Sequence, residues 1–125
     1  MEKRKILIVD DEETFVRMVK LNLESTGKYE VRTETKGGNA LSAAKQFHPD
    51  LILLDIVMPD MEGSAVAEQI MGDDEAKNIP IVFLTALVTQ KEIGTSCVFI
   101  GNHPYIAKPV SSSDLINCIE KNIRK

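Results

Sequence analysis

Carboxylates follow two apolar runs in this chain: Asp10 and Asp11 come after Ile6-Leu7-Ile8-Val9, and Asp55 comes after Leu51-Ile52-Leu53-Leu54. In an open parallel sheet the carboxyl ends of the strands line the crevice where ligands bind, so these acids can converge despite their separation in sequence. Three carboxylates about 5 Å apart would repel by roughly 3 kcal/mol per pair at an effective dielectric near 20. Such a cluster calls for a cation or for a raised pKa. Oxygen donors with little nitrogen or sulfur nearby suit a hard divalent ion, and a site with open water positions and a phosphate substrate suits Mg²⁺. An aspartate beside that ion can attack a phosphoryl group, because the metal offsets the charge that would otherwise repel phosphate. Asp55 is the better nucleophile, standing alone after its strand, and Asp10 and Asp11 read as the metal anchor.

Plainer roles exist for each residue. Asp10 or Asp11 can cap the following helix, whose positive end Glu12 and Glu13 would favour. Asp55, ahead of Met58-Pro59 and Gly63, can be a turn aspartate. Taken together the acids weaken both alternatives, since clustered strand-end carboxylates are costly without a ligand. Two more strand ends add to the set. Thr85 directly follows Ile81-Val82-Phe83-Leu84, and Lys108 follows Tyr105-Ile106-Ala107. A hydroxyl and an ammonium there can each meet a phosphoryl oxygen. Singly they would be an ordinary cap and a solvated lysine.

The elements that must position these residues follow from the apolar pattern. Runs near 5–9, 51–54 and 80–84 are short, unalternating and rich in Ile, Leu and Val, as in strands buried on both faces. Helical spacing fills the intervals: 12–26 up to Gly27, 38–47 ahead of His48-Pro49, 62–76, and 111–124 behind a serine-rich cap, with a further strand at 29–34. Strand and helix alternate, which means βαβ units and a parallel sheet covered on both sides. Residues 88–103 resist the pattern. Either a weak fourth helix lies near 89–94, or Cys97-Val98-Phe99-Ile100 is extended, even one arm of a hairpin with Tyr105-Ile106-Ala107.

With 125 residues the chain fits one domain. Its 43% hydrophobic and 27% charged residues are those of a globular protein, not a disordered one. A net charge of -4 argues against nucleic-acid binding by this domain. No apolar stretch is long enough to span a bilayer, and Met-Glu-Lys-Arg-Lys lacks a signal-peptide core, so the cytoplasm is the expected compartment. Cys97 and Cys118 have neither metal nor redox spacing and read as small semi-buried side chains.

Taken in order, Ile-Leu-Ile-Val-Asp10-Asp11-Glu12, Asp50-Leu-Ile-Leu-Leu-Asp55, Met58-Pro59-Asp60-Met61-Glu62-Gly63, Leu84-Thr85-Ala86 and Tyr105-Ile106-Ala107-Lys108-Pro109 form a specific set. In these the chain resembles, over essentially its whole length (1–125), the receiver domain of bacterial two-component response regulators. The resemblance implies a flavodoxin-like, doubly wound five-stranded parallel sheet in the order 2-1-3-4-5 with about five helices, the fourth weak or irregular here. It implies a phosphorylation-dependent signalling switch and not an enzyme in the ordinary sense. The phosphoryl group would go to Asp55 from the phosphohistidine of a sensor histidine kinase or phosphotransfer protein. Mg²⁺ would be held by Asp11, Asp55 and the Val57 carbonyl, with Asp10 acting largely through water. Thr85 and Tyr105 would be the switch pair, and Lys108 the phosphoryl-binding lysine, joined to Pro109 by a cis peptide. A downstream effector or a second copy of the chain would read the altered surface.

The departures from that pattern are specific to this chain. Val57 and Leu87, each two residues past a site residue, are apolar and cannot orient an attacking water, which predicts slow self-dephosphorylation. The usual Ala/Gly stretch before the switch aromatic is replaced by Val98-Phe99-Ile100-Gly101-Asn102-His103-Pro104, so a family-standard partner surface does not carry over. His48 and His103, each ahead of a proline, read as loop residues. Rival functions are a Mg²⁺-dependent aspartyl-phosphate phosphohydrolase, disfavoured because Val57 stands where a second acid would be needed, and a docking module that is never phosphorylated. A flavodoxin-like electron carrier would need a hydroxyl- and glycine-rich phosphate loop after the first strand. The sequence is compatible with a stand-alone receiver and with a domain of a longer protein.

Overall fold

A computed structural model describes residues 3–85, 103–108 and 111–123, and residues 98–100 by backbone alone. Three apolar runs form the centre of the sheet: β1 (Arg4–Val9), β3 (Leu51–Asp55) and β4 (Ile81–Thr85). Every residue of β3 and β4 is buried, as expected of strands with helices on both faces. Successive side chains alternate between two cores. Ile6, Ile8, Leu51, Leu53, Val82 and Leu84 face α1 (Glu13–Glu24) and α4 (Ser112–Asn122). Leu7, Val9, Ile52, Leu54, Ile81 and Phe83 face α2 (Ala40–Phe47) and α3 (Gly63–Met71).

The remaining strands are β2 (Tyr29–Glu34), β5 (Val98–Ile100) and β6 (His103–Ala107). The sheet runs β2-β1-β3-β4-β6-β5. Five strands are parallel in the expected order 2-1-3-4-5, with β6 as the fifth. The added β5 pairs antiparallel with β6 and closes that edge. Of the two alternatives for this stretch, the extended one describes Val98–Ile100; the expected helix near 89–94 lies outside the described residues. The β4–β6 ladder begins at Tyr105, one residue beyond Pro104, which has no N–H to contribute.

Helix boundaries follow local chemistry. The Ser111 side chain accepts the Asp114 N–H at 3.2 Å and starts α4. A 3₁₀ turn at Gly37–Asn39 leads into α2, which ends on His48 at φ 53°, a left-handed C-terminal residue. The third helix is shorter than the expected 62–76. It stops at Met71 because Gly72 follows and because Asp73 accepts the Glu75 and Ala76 N–H groups, both at 3.0 Å, starting a separate turn. Four α-helices lie among the described residues. No helix among them is long and apolar enough to cross a membrane. Cys118 is fully buried in the α1/α4 core, and Cys97 lies outside the described residues.

Candidate functional site

Strand register gathers the candidate residues. Val9 pairs with Leu54, so the next residues, Asp10 and Asp55, leave adjacent strands side by side. Thr85 pairs with Ala107, which puts Lys108 just past the same edge. Backbone bonds hold each departure point: Asp10 N–H to Glu34 O at 3.0 Å, Ile56 N–H to Leu84 O at 3.1 Å, and Lys108 N–H to Thr85 O at 2.8 Å. Asp10, Asp55 and Thr85 are the buried polar residues among those described, at 0%, 5% and 3% exposure. Such burial of polar groups is tolerated only with partners. Among the described residues no buried side-chain nitrogen or oxygen lacks one.

Carboxylate oxygens of Asp10, Asp11 and Asp55 all lie within 4.8 Å of one another. Asp55 is pushed up to about 7, first by burial, then by the charge of Asp10 and by a hydrogen bond with Asp11, against the pull of Lys108 and the Val57 N–H. Asp10 is also raised, by burial, although Lys108 and the Glu12 N–H oppose the shift. The Glu12 N–H reaches Asp10 Oδ1 at 3.0 Å, so Asp10 does serve the helix start as well as the cluster. A divalent cation would oppose the upward shift of Asp55 and Asp10. An all-oxygen donor set, closely spaced and short of positive charge, fits a hard cation.

Lys108 supplies the one ammonium in contact with the cluster among the described residues. Its Nζ sits 2.8 Å from Asp10 Oδ2, bonds Glu12, and lies 4.7 Å from the centre of the Phe15 ring. Its side chain is only 8% exposed. Burial disfavours the ammonium, yet the bonds it donates to Asp10 and Glu12 leave its pKa above the usual lysine value. Nothing in the sequence spacing of Glu12 or Phe15 pairs them with a residue so distant in the chain.

Val57, two residues past Asp55, is 58% exposed. Its loop is closed by the Gly63 N–H on Ile56 O at 2.7 Å. Gly63 is required there, because a Cβ would stand 2.3 Å from Asp55 O and 2.8 Å from Ile56 Cα. Tyr105 is half-buried and stacks on Phe83, with ring centres 5.1 Å apart and an angle of 28°. His103, expected to be a plain loop residue, belongs to β6 and meets the same ring edge-on at 5.2 Å. A cavity of about 430 Å³ opens beside the cluster, lined by Asp11, Glu13, Thr35, Lys36, Pro59 and Asp60. Leu87 and the Lys108–Pro109 peptide lie outside the described residues.

A doubly wound sheet that presents acids, hydroxyl and ammonium at its carboxyl edge defines a domain class built for phosphate chemistry. The model of the response regulator receiver domain matches residues 6–120, and the chain belongs to that family of signalling domains. Its members act as phosphorylation-dependent switches in two-component signalling. The chain is 35% identical over 127 residues to the probable transcriptional regulator ycf27 of Porphyridium aerugineum, covering 100% of this chain and 50% of that protein. It is 35% identical over 124 residues to the alkaline phosphatase synthesis transcriptional regulatory protein PhoP of Bacillus subtilis, covering 98% and 49%. The chain thus spans about half the length of these curated relatives. Against the chemotaxis protein CheY4 of Vibrio cholerae the TM-score is 0.81 at 27% identity, with 96% and 98% of the chains covered.

Proposed function

We propose that residues 1–125 form one receiver in which Asp55 is the phosphoryl acceptor. The observation that carries this reading is the close set of Asp10, Asp11 and Asp55, within 4.8 Å, with Lys108 bonded to it and Thr85 at the next strand end. The donor would be the phosphohistidine of a sensor kinase or phosphotransfer protein. A carboxylate oxygen of Asp55 forms the new O–P bond as the P–N bond breaks, and the imidazole nitrogen leaves with the electron pair. Mg²⁺, when bound, would neutralise the transferred group. Asp11, Asp55 and the Val57 carbonyl are its proposed ligands, and Asp10 supports it through water. Lys108 would turn from Glu12 toward a phosphoryl oxygen, and the Thr85 hydroxyl would meet another.

Drawing Thr85 inward would leave room for Tyr105 to turn, so a local charge becomes an altered surface. Phosphorylation would then shift a pre-existing equilibrium. The surface would be read by an effector, attached or separate, or by a second copy, and the expected setting is the cytoplasm. Val57 offers no group to direct water, so the aspartyl phosphate should be long-lived. In the test, the domain is incubated with Mg²⁺ and beryllofluoride or a small phosphodonor, and the adduct is followed by mass and fluorine resonance. Wild type should form it and Asp55→Asn should not. An adduct of equal yield on Asp55→Asn would refute the assignment, and loss of phosphate within seconds would refute the slow hydrolysis.

A further inference from the structure

We propose that Asp60 is a positioning residue for the acidic site: by clamping the loop after Asp55 onto the amides of Gly37 and Gly38, it holds Val57 where a divalent cation needs it. The inference rests on the cation reading of the aspartate cluster given above. Asp60 Oδ1 accepts the Gly37 N–H at 3.1 Å, and Oδ2 accepts the Gly38 N–H at 3.0 Å. These amides open the 3₁₀ turn that leads into α2, where the first N–H groups have no partner within the turn itself. Both carboxylate oxygens are therefore engaged across two loops far apart in sequence. Asp60 accordingly lies below the usual carboxylate range, through the Gly38 and then the Gly37 amide.

The fit of the loop against Gly37 is an independent observation. A Cβ at Gly37 would stand 3.0 Å from Val66 Cγ2, 3.2 Å from Met58 Cε and 3.2 Å from Met61 Cβ. The loop thus lies directly on bare backbone, and Met58 is buried within it. At its base, the Gly63 N–H closes on Ile56 O. Between these two tethers runs Val57, whose backbone N–H counters the rise of the Asp55 pKa. With Ile56 tied to Gly63 and Asp60 tied to Gly37 and Gly38, loosening the Asp60 clamp frees one end of the segment that carries Val57. Groups that orient a ligand-bearing segment typically change metal affinity by about ten- to a hundredfold when removed; a clamp acting through a loop should act at the low end. Coupling is reciprocal, so filling the site should be felt at Gly37 and Gly38.

The experiment compares wild type, Asp60→Ala, Asp60→Asn and Gly37→Ala as nitrogen-labelled full chains titrated with Mg²⁺ by calorimetry and amide resonances. Asp60→Ala and Gly37→Ala should each weaken Mg²⁺ about tenfold, and Asp60→Asn, which keeps one acceptor oxygen, should fall between them and wild type. The Gly37 and Gly38 amides should move as wild type fills and should stay still in Asp60→Ala. An Asp60→Ala protein with wild-type Mg²⁺ affinity, whatever its thermal midpoint, would overturn the proposal. Should wild type itself take no Mg²⁺, the cation reading falls separately. Asp60 is then judged on the metal-free Val57 amide, whose unchanged resonance in Asp60→Ala would refute the clamp. Where Asp60→Ala does not fold, Asp60→Asn and Gly37→Ala carry the same comparison.

Discussion

A carboxyl group held at about 7 makes Asp55 a stability switch as well as the proposed nucleophile. In the unfolded chain its pKa returns to roughly 4, so between about pH 4 and 7 the folded domain holds a proton that the unfolded chain has released. The contribution is fully present below that window and is lost as pH rises through about 7. Metal-free wild type should therefore lose stability between pH 4 and 7 in denaturant titrations, and Asp55→Asn should flatten the slope. Asp10, shifted in the same direction, leaves a residue of it. Mg²⁺ should reverse the trend at neutral pH. The residue types of the site were legible in the sequence because each follows an apolar run. Their partners were not: Glu12 on Lys108, Phe83 under Tyr105 and Asp60 on Gly37 and Gly38 all depend on how loops cross.

Among the elements, the turn from β3 into α3 has the least freedom. Gly63→Ala drives a Cβ into the Asp55 carbonyl and Ile56 Cα, backbone atoms that cannot step aside. We expect a loss of about 3 kcal/mol or more in urea unfolding, together with loss of Mg²⁺ binding. The central strands and the helix faces were readable from apolar periodicity alone. The end of α3 was not, because the apolar stripe through Ile70 says nothing of Asp73 starting a new turn. The β5–β6 hairpin was one of two open readings, since Val98-Phe99-Ile100 favours strand while the preceding polar residues allow a helix start.

On the scale of the whole molecule, two cores share one sheet, and β3 feeds both. Leu53→Ala opens the α1/α4 side and Leu54→Ala the α2/α3 side, so each should cost about 2–5 kcal/mol by chemical denaturation. A loss under about 1 kcal/mol at either position would mean that one face is not packed as described. The doubly wound class was readable from the sequence because both faces need apolar residues, which removes alternation from the central strands. The sixth strand also places β6 between two ladders, with Tyr105 opposite Phe83 on one side and Val98 on the other. A strand bonded along both edges exchanges its amide protons only through larger openings of the sheet. Motion at Tyr105 is thereby confined to side-chain torsions, a faster class of event than displacement of the strand that carries it.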